Sequence, residues 1–85
     1  MKKEWLITFR SITFAQRAER AIRRRGVFCR LYRTPKHLSA KGCGYCLQLQ
    51  VSGEPAFLEI LKQEHLPYER VYILDEDGNA WEWTV

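Results

Sequence analysis

The sequence predicts a single α+β domain, with two helices on one face of an antiparallel sheet, and three observations carry that expectation. Short runs rich in apolar and aromatic residues are bounded by Gly, Pro, Asn and Asp, as strands are. Two longer runs between them switch to helical spacing. The length of 85 residues leaves room for one modest core, and with aromatics plentiful and no repeat or low-complexity tract the whole of 1–85 reads as one globular domain.

In the first run Trp5, Ile7 and Phe9 alternate with Leu6, Thr8 and Arg10, which predicts a strand. The period then changes. Thr13 with Gln16 reads as a capping box, Phe14, Ala15, Ala18, Ala21 and Ile22 form an apolar stripe at helical spacing, and Gly26 supplies the stop. Val27 to Arg33 is a second strand, and the polar stretch from Thr34 to Gly42 is a loop. Tyr45, Leu47, Leu49 and Val51 then alternate with Cys46, Gln48 and Gln50 in a third strand. Gly53-Glu54-Pro55 opens a second helix, whose Phe57, Leu58, Ile60 and Leu61 face inward and which Leu66-Pro67 ends. Val71 to Leu74 is a fourth strand. Asp75 to Asn79 has the chemistry of a hairpin turn, so Trp81 to Val85 should fold back as a fifth strand. The order βαββαβ with a C-terminal hairpin strand is the split-βαβ, ferredoxin-like sandwich. With the apolar residues of strand three toward the helices, Cys46 shares the opposite face with Gln48, Gln50, Thr8 and Arg30.

Charge is divided along the chain. Residues 1 to 43 carry twelve Lys and Arg against two Glu, a net of +10, while 44 to 85 carry two against eight acids, a net of −6. Arg17, Arg20, Arg23, Arg24 and Arg25 therefore form either a solvated helix face, its last arginines favourably placed at a helix C-terminus, or a surface for an acidic partner. The basic start before Trp5 to Phe9 is followed by too short an apolar patch for a signal peptide, and Arg10 closes it. A cytoplasmic protein without membrane attachment is expected. Three cysteines, an odd number, point to free thiols in a reducing compartment.

Chemistry is expected at Gly42-Cys43-Gly44-Tyr45-Cys46, where the loop becomes a strand. Cys43 and Cys46 are the candidate reactive residues, because Gly42 and Gly44 leave the sulfur uncrowded. Lys41, Lys36 and His37 would form a basic collar that favours the thiolate, which is only about 3% populated at pH 7 for an ordinary thiol and about half for one lowered to 7. Cys29, among Val27, Phe28 and Leu31, reads instead as a packing residue. Extended residues three apart lie roughly 10 Å apart, beyond the roughly 7 Å a disulfide tolerates, so Cys43 and Cys46 pair only if Gly44 bends the chain.

Thr8-Phe9 followed by Ser11, the pair Ala18-Glu19, the loop from Pro35 to Ser39, and Cys43-Gly44-x-x-Leu47 together resemble small bacterial proteins catalogued as selenium/sulfur carrier-like, formerly a domain of unknown function. The resemblance covers about residues 4 to 75. It implies that Cys43 carries sulfane sulfur or selenium as a persulfide or selenopersulfide, exchanged with donor and acceptor proteins. The expected role is a carrier without a turnover reaction of its own and without a cofactor. Two features depart from the pattern: Cys46 stands where a small apolar residue is expected, and the Trp-rich tail from Asn79 is additional.

The competing reading is an RNA-binding or protein-interaction module. Lys41 to Leu47 mimics the third-strand signature of RNA-recognition motifs, but Cys43 falls where a stacking aromatic belongs. If Tyr45 faced RNA, so would Leu47, Leu49 and Val51, which argues against nucleic acid. Cys43, Cys46, His37 and His65 lack the spacing of a zinc site, and His65 suits a helix end. Asp75, Asp77 and Asn79 are turn residues rather than a calcium loop. Trp81 and Trp83 either extend the sheet, cover the open edge of the core or make a homodimer contact.

Overall fold

A computed structural model of the chain describes residues 2–34, 44–52 and 55–83. Seven elements follow one another: β1 (Lys2–Phe9), α1 (Ile12–Arg24), β2 (Cys29–Arg33), β3 (Tyr45–Ser52), α2 (Phe57–Gln63), β4 (Arg70–Leu74) and β5 (Ala80–Glu82). The strands form one sheet in the order β2-β3-β1-β4-β5, every neighbouring pair antiparallel. This is an α+β fold. Each helix connects two strands that flank a third, so β1 ends up in the middle, between β3 and β4.

Strand parity places the core. Trp5, Ile7 and Phe9 of β1, Leu47 and Leu49 of β3, Cys29 of β2 and Val71 of β4 point to the helices, where they meet Ala15, Ala18, Ala21 and Ile22 of α1 and Phe57 and Leu61 of α2. The alanines let α1 lie close to the sheet. Trp5 anchors one end of this core, edge-on to Phe57 at 5.4 Å and to Trp83 at 5.7 Å. Such aromatic pairs contribute about 0.5–1.5 kcal/mol beyond the area they bury. Trp83 thus covers the core, while Trp81 is exposed and donates its indole N–H to Asp75 at 3.0 Å.

Several element ends depart from the sequence expectation, β1 beginning earlier at Lys2, β4 at Arg70 and α2 later at Phe57, and others departing as follows. Ser11, not Thr13, caps α1: its extended backbone lets its Oγ accept from the Thr13 amide at 3.1 Å. β2 begins at Cys29 rather than Val27 because the Val27 amide closes the end of α1 on the Ile22 carbonyl, beside Gly26 at φ 83°. α2 stops at Gln63, before Leu66-Pro67, because His65 takes the left-handed conformation at φ 54° and the Leu66 amide bonds back to Leu61 at 2.9 Å. β5 covers only Ala80–Glu82; the expected final residues Thr84 and Val85, like Gly53 and Glu54 before α2, lie outside the described residues. The hairpin turn forms as read, with Asp75 Oδ1 accepting from the Asp77 and Asn79 amides at 3.0 and 2.8 Å and Gly78 at φ 83°.

Candidate functional site

Gly44 and Cys46 are the two sequence-predicted site residues that the described chain contains. Cys43, Gly42, Lys41, Lys36 and His37, together with the loop from Pro35 onward, lie outside the described residues. Gly44 enters β3 at φ 148°, a backbone conformation that side-chain-bearing residues rarely adopt. Its Cα lies against the end of β1, so that an added Cβ would sit 3.2 Å from the Phe9 carbonyl oxygen and 3.5 Å from Thr34 Oγ1. Its carbonyl accepts from the Thr34 amide at 3.1 Å. The β2–β3 ladder is therefore fastened one residue beyond Tyr45, and a glycine is required there.

Cys46 stands opposite Thr8 on one side and Tyr32 on the other. Its face also carries Gln48, Gln50 and Arg30, as strand parity predicts. That face is not uniformly polar. Leu6, Cys46 and Tyr72 are buried there, with Tyr32, Leu74 and Ala80 packed around them, a second small cluster on the side away from the helices. One signal in the sequence could have found it: Leu6, Tyr32, Tyr72 and Leu74 all share the parity of Cys46. Beyond the cluster the face turns hydrophilic, where Glu4 accepts from Gln48 at 2.7 Å and from Gln50 at 3.3 Å.

Burial governs the Cys46 thiol. Cys46 has no solvent exposure, and desolvation pushes its thiol up from the usual range, while the Tyr32 and Thr34 hydroxyls pull it down without offsetting that. Thr34 Oγ1 is buried and has no partner at hydrogen-bond geometry among the described residues, so its hold on the sulfur is loose. Tyr32 is itself pushed far up, by burial first and by Cys46 next. As placed, Cys46 is enclosed, and burial favours the protonated form of its thiol. Cys29 is likewise buried in the helix-side core; its Sγ donates to the Glu19 carbonyl at 3.7 Å, and burial raises its thiol. It is the packing residue the sequence suggested.

Thr8, one of the residues carrying the family resemblance, has a structural duty. Its Oγ1 accepts from the Arg70 amide at 2.9 Å and its carbonyl from the Glu69 amide at 2.7 Å, which fixes where β4 starts. Tyr45 packs toward the helices, against the main core, and not on the face with Cys46. His65 occupies the α2 terminus, and among the described residues no three His, Cys, Asp or Glu side chains gather as a metal site. No helix of the described residues is long and apolar enough to cross a membrane.

The described residues thus form an α+β fold, a five-stranded antiparallel sheet with two helices, in which β3 is entered through Gly44. Residues 4–73 match the family described as "Putative Se/S carrier protein-like", and the chain belongs to that family. Neither a curated protein nor a solved structure matches it.

Proposed function

We propose that this protein is a thiol-based sulfur or selenium carrier, built on the ferredoxin-like plan with β5 appended, which holds a persulfide or selenopersulfide on Cys43. The observation that carries the reading is the family match over residues 4–73, which spans the Cys43-Gly44 step. Supporting it, Gly44, the next residue in the sequence after Cys43, enters β3 in a conformation that suits glycine and leaves little room for a Cβ. The ferredoxin-like reading rests on the order β2-β3-β1-β4, with the two crossover helices on one face.

Transfer needs no outside oxidant. The Cys43 thiolate attacks the terminal sulfur of a donor persulfide; a new S–S bond forms as the donor's own breaks, and the donor leaves as a thiolate. An acceptor thiolate then attacks the atom held on Cys43, and Cys43 leaves in turn. Lys41, Lys36 and His37 supply positive charge that keeps the thiolate populated near neutral pH. Cys46, buried and with its thiol raised, is given no first step in this reading. Such a carrier belongs in a reducing compartment, the cytoplasm. The RNA-binding alternative requires Tyr45 on the open face of the sheet, and Tyr45 lies on the helix side.

Intact mass tests the reading. After incubation with a cysteine desulfurase and cysteine, the protein should gain roughly 32 Da per sulfane atom, removable by reductant. Cys43→Ser should abolish the gain and Cys29→Ser should preserve it. A protein that stays at its unloaded mass with Cys43 accessible to alkylation would exclude the carrier role.

A further inference from the structure

The strongest charge feature of the structure lies outside the thiol site. Arg17, Arg20, Arg23 and Arg24 of α1 line one open cleft of about 640 Å³, with Glu64 and Leu66, just after α2, also in its lining. Four arginines thus line the cleft with one carboxylate, Glu64. The cleft is partly pre-organised from within the chain. Arg23 donates to the Cys29 carbonyl at 2.8 Å, pairs with Glu19 at 3.5 Å and lies 5.2 Å over the Phe28 ring. Arg24 pairs with Glu64 at 3.3 Å. Arg17 and Arg20, one turn apart and exposed, make no ion pair with a described residue.

We propose that this cleft is the docking surface for an acidic segment of the protein with which the chain exchanges sulfur or selenium, a proposal that takes its partner from the carrier reading above. Charge complementarity selects the occupant. Guanidinium forks match carboxylates in bidentate geometry, and arginines three and four residues apart on a helix present them side by side. Among the described residues the cleft lining includes no aromatic ring on which a base could stack, and Phe28, exposed beside Arg23, already has a guanidinium over its face. Single-stranded nucleic acid wants both a basic groove and stacking platforms. An acidic peptide needs only the groove, with Leu66 as an apolar floor.

A short alternating Glu-Ala peptide serves as the probe, with a uridine oligonucleotide of equal charge as its rival, both read by fluorescence anisotropy at low salt. The peptide should bind more tightly than the oligonucleotide, and added salt should weaken it. Arg17→Glu with Arg20→Glu should weaken peptide binding by at least about ten-fold, Arg17→Gln with Arg20→Gln by less, and Arg30→Glu with Arg33→Glu on β2 by under about two-fold. Peptide binding that is absent, or equal in all three variants, overturns the proposal, and so does tighter binding of the oligonucleotide. Cys43→Ser separates this from the carrier reading: it should take no sulfur yet bind the peptide as the parent does.

Discussion

Gly44 fixes how the chain enters β3. Its φ of 148° and the 3.2 Å approach a Cβ would make to the Phe9 carbonyl leave alanine two penalties, one conformational and one steric. Gly44→Ala should destabilise the protein by about 2 kcal/mol in denaturant titration, the cost of holding a side-chain-bearing residue in a sparsely populated region. An unchanged midpoint would show that the strand enters β3 along a different path. Cys46, two residues on, makes the contrasting point: β3 carries it into the interior, where its thiol is pushed up.

Two elements end on features that are separately testable. α2 is closed by His65 in the left-handed conformation, a position glycine occupies without a Cβ penalty. His65→Gly should therefore stabilise the protein, by about 1 kcal/mol, with the gain read from the urea midpoint. The β4–β5 hairpin is held by Asp75, whose carboxylate accepts from the Trp81 indole and from the Asn79 and Asp77 amides, and these bonds keep its carboxyl below the usual range, the Trp81 bond most. A depressed folded value means that the contribution is fully present above the unfolded value of about 3.9 and is lost as pH falls through the lower folded value. The Trp81 indole N–H resonance should move in that acid window. In Asp75→Asn the acid transition should disappear, and its persistence would assign it to another carboxylate.

Across the whole molecule the buried thiols set the alkaline limit. Cys29 and Cys46 have thiols raised by burial, Tyr32 a raised phenol, and all three sit in packed surroundings. A raised folded value means that the unfolded chain loses its protons first. Stability is therefore full below about pH 8.5, the free-thiol value, and falls as pH rises toward the folded values. The urea midpoint should be lower at about pH 9.5 than at about pH 7, and Cys46→Ala should flatten part of that slope. A midpoint independent of pH over that range would mean that the thiols titrate alike folded and unfolded.

Element types and their order were legible in the sequence because they depend on local periodicity. Alternation in β1 and β3, the alanine stripe of α1, the Gly26 stop and the Asp75 turn are interactions among residues close in the chain, and each is found where it was read. Strand parity also placed Tyr45 toward the helices and Cys46 away from them. Other features came only from the assembled sheet. Register sets Thr8 against Cys46 and Arg70, and makes a buried cluster of Leu6, Cys46 and Tyr72 out of residues from three strands. The pairing of α1 with the end of α2 gathers four arginines and one glutamate into a cleft. Burial is a property of what packs on a residue from far along the chain. A cysteine's reactivity follows from that burial, so the sequence by itself could single out the cysteines of this protein, and only the tertiary structure could decide that Cys46 is enclosed.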